Sequence, residues 1–444
     1  MGQYFGTDGV RGVANENLTT SMAYKVGRFL AYYCLKDGPC KIIIGKDTRR
    51  SSSMLEAAIT SGCLESGADV YQLGYTTTPC VSYLCGSLSF SGGIMISASH
   101  NPYQDNGIKV MKSDGTKIDA KLEGLIEDYF INDQPLPKAK KGKIGSLYFF
   151  NEGFDLYLKH ISKLITSDLS SLKVALDLAN GSACYTAKRL FESSNIKADY
   201  FFDRPDGINI NDNCGSTHLE NLSEIVKKGN YDVGFAFDGD ADRVLALDEF
   251  GELIDGDTIL YICGKYLKEK NELNDSTIVA TVMSNIGLYK ACKKEGIIVE
   301  RTQVGDKYVY DLLNTKDYCL GGEQSGHIIF KQYANTGDGL LTAIILLSIM
   351  IEKKQSLSEL KKELVVYPQL LNNIKVKDKN LIEDKEIKEL VSVVEEELGE
   401  NGRVLVRTSG TEELIRVMVE ASSEELCKEY VDKISDLIIL KDDL

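Results

Sequence analysis

Gly93–Met111, GIMISASHNPYQDNGIKVM, contains the clearest strand-to-loop transition in the chain. Ile94, Met95 and Ile96 form an apolar run with the length and flanks of a short buried strand. Asn101-Pro102 stops it, because a proline ring restricts the residue before it and brings no N–H to a ladder. Ser97, Ser99 and His100 therefore stand at a strand exit. Ligands of α/β sheets gather outside the carboxyl ends of the strands, so a hydroxyl and an imidazole there are placed to meet one. Asp105-Asn106-Gly107 is a turn that can bring Lys109 back toward the same loop. Taken alone, the stretch is equally a polar turn in which Ser99 caps a backbone amide.

The same form recurs along the chain. Lys41-Ile-Ile-Ile-Gly-Lys-Asp47, Lys173-Val-Ala-Leu-Asp-Leu-Ala-Asn180 and Ser276-Thr-Ile-Val-Ala-Thr-Val282 are apolar runs that stop at polar loops, each followed by a helix-like segment. After the first, Ser53-Met-Leu-Glu56 matches a capping box, and Gly67 sits where a helix from Met54 to about Ser66 would end. Second strands follow at Ala68–Leu73, Ala198–Phe202 and Ile297–Thr302. Third strands then run into the polar loops Ser97–Pro102, Asp238–Arg243 and Gly322–His327. Strands alternating with helices imply right-handed, parallel crossovers. The expected architecture is α/β: three similar units with mixed, mainly parallel sheets around a cleft, then a small C-terminal α+β domain. Pro135-Leu-Pro137, the basic run Lys138–Lys143 and Tyr367-Pro368 mark breaks between units.

Composition narrows the function class. A chain of 444 residues easily builds a sizeable core, and a formal charge of −15 repels nucleic acid and anionic lipid. Eleven cysteines without a C-x-x-C pair suit a reducing cytosol better than a disulfide framework or a zinc ribbon. The N-terminal MGQYFGTDGVRG reads neither as a signal peptide nor as a myristoylation site. Leu340–Ile351 is too short for a bilayer that needs roughly 20 apolar residues, so it is expected as a buried core helix.

The loops carry the chemistry. Asp238-Gly-Asp240-Ala-Asp242-Arg243 follows the apolar strand Val233–Phe237 and offers three carboxylates at alternate positions, the hard oxygen donors that Mg²⁺ and Ca²⁺ prefer. An EF-hand would want glycine where Arg243 stands, whereas an aspartyl-nucleophile phosphatase also begins with a strand and Asp-x-Asp. Arg407-Thr-Ser-Gly-Thr411 with Arg416 has the composition of a phosphate clamp, although a plain polar hairpin competes with that reading. Gly322-Glu-Gln-Ser-Gly-His327 supplies a carboxylate, an amide and a hydroxyl suited to sugar hydroxyls, beside an imidazole. Walker A, G-x-G-x-x-G and G-x-S-x-G patterns are absent from the sequence.

Phe5-Gly-Thr-Asp-Gly-Val-Arg11-Gly12, Ile96-Ser-Ala-Ser99-His-Asn-Pro102 and these three loops stand in the order seen in the α-D-phosphohexomutases. The chain resembles that family from residue 5 to the C-terminus. It is most similar to the amino-sugar branch, which carries Gln where Gln324 stands and words its N-terminal motif in the same way. Glu413 departs from the family pattern, which has proline there.

The resemblance implies a phosphoserine enzyme of four domains around a cleft, expected at 1–150, 151–254, 255–367 and 368–444. Ser99 would carry the phosphoryl group, and Ser99, Asp238, Asp240 and Asp242 would hold Mg²⁺. Arg243, Gly305, Asp306, Glu323 and Ser325 are expected at the sugar. Arg407, Ser409, Gly410, Thr411 and Arg416 are expected at the phosphate that is not reacting. Lys109, His100 and His327 are the candidates for proton transfer, with Arg11 lending positive charge. The implied reaction interconverts glucosamine 6-phosphate and glucosamine 1-phosphate through a bisphosphate, feeding UDP-N-acetylglucosamine and cell-envelope synthesis. A phosphomannomutase/phosphoglucomutase on neutral sugars and a non-catalytic phosphosugar sensor are the alternatives. A cytoplasmic monomer or homodimer is expected, with a phosphosugar as its partner.

Overall fold

The computed structural model describes residues 4–6, 9–408 and 413–442. They build three α/β sheets and a small antiparallel one, matching the expected fold class. Two compact units result, one of residues 1–282 and 299–361, the other of residues 283–298 and 362–444.

In the first sheet the buried strands Lys41–Lys46 and Gly92–Ile96 lie side by side and parallel. Asp69–Tyr75 and then Leu147–Phe149 extend the parallel set on the far side of Lys41–Lys46. Beyond Gly92–Ile96 the chain reverses. Asp105–Lys112 pairs antiparallel with it, putting Lys109 opposite Met95, and Gly9–Val13 adds antiparallel outside that, putting Arg11 opposite Gly107. The loop that carries Ser99 is thus the connection of an antiparallel hairpin at the edge of a parallel set, and the two antiparallel strands beyond Gly92–Ile96 carry Lys109 and Arg11.

The second sheet repeats this plan. Lys197–Phe201, Lys173–Asp177 and Val233–Phe237 run parallel, and Val244–Leu247 returns antiparallel, so Asp238–Arg243 is again a reversal loop. In the third sheet Leu320–Gly322 runs parallel to Thr277–Thr281 and then reverses into Ile328–Phe330 through Glu323–His327. Helix Gly339–Lys353 contains the apolar run expected in the core, and nearly all of it is buried. No helix among the described residues is long and apolar enough to cross a membrane.

One local expectation fails. The helix after the first strand spans Ser52–Ser66, and Ser53 lies inside its first turn instead of capping it. Glu56 is held by Lys46 at 2.5 Å and Ser53 accepts from the same ammonium at 3.1 Å, so a full charge draws the carboxylate away from the helix end.

The other unit packs helices Lys385–Leu398 and Glu424–Asp442 on an antiparallel sheet of Gln369–Lys375, Leu414–Glu420 and Arg403–Thr408. Ile374, Val394, Val417, Val419, Val431 and Ile434 fill its core. Helix Ile286–Lys294 belongs to this unit as well. Glu420, fully buried, binds Arg403 Nε at 2.7 Å and Nη2 at 3.0 Å, and also accepts from the Ile286 backbone at 2.9 Å. Removing one partner of such a pair strands the other charge. Glu420→Ala is therefore expected to destabilise this unit by about 3 kcal/mol. Hydrogen exchange should show faster exchange in helix Ile286–Lys294 and little change in the first sheet.

Candidate active site

Ser99 sits immediately past the strand Gly92–Ile96 in a left-handed backbone conformation, φ 54°, that serine seldom adopts. Ser97 Oγ accepts from the Ser99 N–H at 2.9 Å and shapes the turn. The Ser99 hydroxyl is fully buried and donates to Asp238 Oδ2 at 2.5 Å. Gly239 makes the approach of the two loops possible, since a Cβ there would lie 2.5 Å from the Ser99 carbonyl oxygen.

Asp238, Asp240 and Asp242 are buried, with one oxygen from each lying within 4.8 Å of the others. Lys109, itself buried, places its ammonium 2.7 Å from Asp240 Oδ2 and 3.0 Å from Asp242 Oδ2. Thr78 Oγ1 also donates to Asp240 Oδ2, and the Thr78 N–H reaches the Asp240 carbonyl at 3.0 Å. Asp240 Oδ1 and Asp242 Oδ1 have no hydrogen-bond partner among the described residues, although both are buried. Orphaned carboxylate oxygens are costly to bury and are the donors a hard divalent cation takes. The residues present fit such an ion.

Electrostatics divide the triad. Burial, then the charges of Asp242 and Asp240, push Asp238 well above the usual carboxylate range. Burial also pushes Asp242 up, but Lys109, His327 and Arg243 outweigh it and hold this carboxyl well below that range. His100 is pushed down to about 4 by burial and by the guanidinium charges of Arg243 and Arg11. Its Nδ1 lies 3.3 Å from Arg243 Nη1 and 3.4 Å from Ser99 Oγ. Because a guanidinium has only donors to offer, Nδ1 is the acceptor in that contact and the imidazole proton is on Nε2.

The loop Gly322–His327 joins the same unit. Glu323 Oε1 accepts from the Gly305 N–H at 3.0 Å, and the Val244 N–H donates to the Gly326 carbonyl at 3.1 Å. His327 is buried, with Nε2 accepting from the Gly337 N–H at 2.9 Å and Nδ1 3.7 Å from Asp242 Oδ1. Burial pushes this imidazole down, but Asp242, Asp306 and Glu323 outweigh it and the net shift is upward. Asp306 opens helix Asp306–Lys316, pairs with Lys117 at 2.5 Å and lies 3.5 Å from His327 Nε2. Ser325 is exposed.

Of the residues singled out from sequence, Arg11, Ser99, His100, Lys109, the three aspartates, Arg243, Gly305, Asp306, Glu323, Ser325 and His327 thus all fall in one compact unit. Arg407 and Arg416 lie in the other, directly across from each other on antiparallel strands. Burial, then the charge of Arg416, lowers the Arg407 pKa from its ordinary value, as befits a pair that an anion would relieve. Ser409, Gly410 and Thr411 lie outside the described residues. Sequence reasoning missed Thr78, Arg49 and Asn211. Arg49 had a visible signal, the polar exit Asp47-Thr-Arg of an apolar strand. Asn211 had none.

The chain belongs to the phosphoglucomutase/phosphomannomutase family. Its alpha/beta/alpha domains I, II and III match residues 2–136, 155–251 and 255–367, and its C-terminal domain matches residues 371–437. The chain is 52% identical over 436 residues to the phosphoglucosamine mutase of Lachnoclostridium phytofermentans, covering 98% of this chain and 97% of that one. It is 49% identical to the phosphoglucosamine mutase of Bacillus cytotoxicus, covering 99% and 98%. Among solved structures, a phosphoglucomutase/phosphomannomutase family protein from Burkholderia thailandensis superposes with a TM-score of 0.82 at 24% identity, over 98% of this chain and 97% of that one. The N-acetylphosphoglucosamine mutase of Aspergillus fumigatus gives 0.69 at 16%, over 98% and 95%.

His100 provides a pH test. It is neutral in the folded protein down to about pH 4 but gains a proton below about pH 6.5 when unfolded, so its contribution to stability is lost as pH falls through that window. Urea titrations between those limits should show a flatter fall in stability for His100→Gln than for the parent.

Proposed function

We propose that this enzyme is an isomerase that interconverts glucosamine 6-phosphate and glucosamine 1-phosphate, with a phosphoserine at Ser99 and a bisphosphorylated sugar as intermediate. The observation that carries the chemistry is the buried Ser99 hydroxyl 2.5 Å from Asp238, at the edge of a carboxylate triad in which two oxygens have no hydrogen-bond partner among the described residues. Relatives named phosphoglucosamine mutase, at about half identity over nearly the whole chain, support the amino-sugar substrate.

Asp238, Asp240 and Asp242, with an oxygen on Ser99, would hold Mg²⁺. The ion supplies positive charge that offsets the phosphate oxygens and keeps phosphorus electrophilic. In the first half-reaction the bond between phosphorus and Ser99 Oγ breaks and one forms to the free hydroxyl of glucosamine 6-phosphate. That hydroxyl gives up its proton, and Ser99 recovers one. The bisphosphate turns end for end, and its other phosphoryl group returns to Ser99 to leave glucosamine 1-phosphate. His100, with Nδ1 3.4 Å from Ser99 Oγ, is one candidate for exchanging that proton. Lys109 serves the triad as counter-charge and stays a second candidate for proton transfer, as does His327. Arg11 and Arg243 bring positive charge to the phosphate.

Glu323, Ser325, Gly305 and Asp306 would receive the sugar. Arg407, Ser409, Gly410, Thr411 and Arg416 would grip the idle phosphate, with the domains taken as 1–150, 151–254, 255–367 and 368–444. Eleven free cysteines, nearly all buried, support a cytoplasmic setting.

Ser99→Ala is expected to fold and to lose mutase turnover to background; retained activity alongside a dead Asp238→Ala would favour an aspartyl nucleophile. With Mg²⁺ and a bisphosphate activator, kcat/KM for glucosamine 6-phosphate should exceed that for mannose 6-phosphate by roughly 10-fold or more. A preference for mannose 6-phosphate would move the enzyme to the neutral-sugar branch. No turnover of either by phosphorylated protein would favour the sensor.

A further inference from the structure

We propose that Arg49 and Asn211 are positioning residues for phosphoryl transfer, clamping the backbone of the Ser99 loop so that the Ser99 hydroxyl is held against Asp238. The proposal rests on Ser99 being the phosphoacceptor. Arg49 is among the largest fully buried side chains of the protein, and all five of its side-chain N–H groups are engaged. Nε donates to Asp47 Oδ2 at 2.8 Å. Nη2 donates to the carbonyls of Ser99 at 2.9 Å and Asn101 at 2.8 Å. Nη1 donates to the carbonyls of Asp105, at 3.0 Å, and Pro102. One rigid planar group therefore fixes the chain from residue 99 to residue 105. With no donor left over, Arg49 acts through the loop and not on substrate.

Asn211 reaches the same loop from the second sheet's segment. Its Nδ2 donates to the carbonyls of Ser99 and Asn101, both at 2.9 Å, so each of these oxygens accepts from both clamps. Asn211 is itself anchored, its N–H bonded to the Ala179 carbonyl at 2.9 Å. The peptide that carries Arg49 is tied to the same segment: Thr48 Oγ1 donates to the Asn180 carbonyl at 2.7 Å, and the Arg50 N–H to the Gly207 carbonyl at 2.9 Å. Ser99 and the triad stand on different segments, and these bonds fix one against the other. They also hold Ser99 in its left-handed conformation, from which a freed backbone would relax and swing Oγ away.

Asn211→Asp preserves shape but replaces the donors with a carboxylate, and Arg49→Lys preserves charge but loses the fork. Both would be purified phosphorylated, as shown by intact mass, and checked for folding by thermal melting. Each is expected to lower kcat about 10- to 100-fold with KM for glucosamine 6-phosphate changed less than about twofold, the signature of a displaced reacting group. Amide exchange in residues 97–107 should also rise. If kcat stays within about twofold of the parent, or if only KM rises, the proposal fails, even where the melting temperature drops. A phosphorylated parent that does not turn over would instead remove the mutase reading on which the proposal rests.

Discussion

Three buried carboxylates with oxygens inside 4.8 Å of one another set the terms for everything around Ser99. Desolvation and mutual repulsion each oppose such a cluster, and a hydrogen-bonded neighbour relieves only part of the strain. The fold answers with positive charge from two separate places, Lys109 from the strand after the Ser99 loop and Arg243 from the triad's own loop, while the His327 imidazole lies 3.7 Å from Asp242 Oδ1. Among the described residues one oxygen on Asp240 and one on Asp242 still have no hydrogen-bond partner, the room a divalent ion would use.

A chain with a formal charge of −15 has to attract a doubly charged phosphosugar against its own field. The cations that matter are therefore local and partly sequestered. Arg11 and Arg243 are near enough to His100 to depress its basicity, and Arg407 and Arg416 stand side by side on neighbouring strands. Like charges held together are unfavourable, so an anion bound between Arg407 and Arg416, as proposed, would relieve that repulsion.

Most of the site was legible because its residues cluster where apolar strands end. Ile94–Ile96, Val233–Phe237 and Leu320–Gly322 each announce a loop, so period and polarity put Ser99, Asp238 and Glu323 at strand exits, while the family resemblance supplied their expected roles. What was not legible depends on contacts between distant segments. Asn211 looks like any loop asparagine until its amide is seen on the Ser99 carbonyl, 112 positions away. The supposed capping box at Ser53 failed for a similar reason, since Glu56 prefers Lys46, a partner from the preceding strand. Local pattern also assigns helix Ile286–Lys294 to its neighbours in sequence. That assignment agrees with the matched third domain, and what sequence does not show is that the buried Glu420 also links the helix's first N–H to Arg403 of the C-terminal unit.

That helix bears on how the protein is made. The chain passes between its two units at 282–283, 298–299 and 361–362, so residues 283–298 leave the ribosome well before the strands they belong with. The C-terminal unit can close only after strand Leu414–Glu420 has been synthesised and can deliver Glu420 to the waiting helix. Its folding is a late event with long-range contacts, which loop-closure entropy makes slow. Until then the apolar face of Ile286–Lys294 is exposed to other nascent chains, a point at which chaperones would be of use.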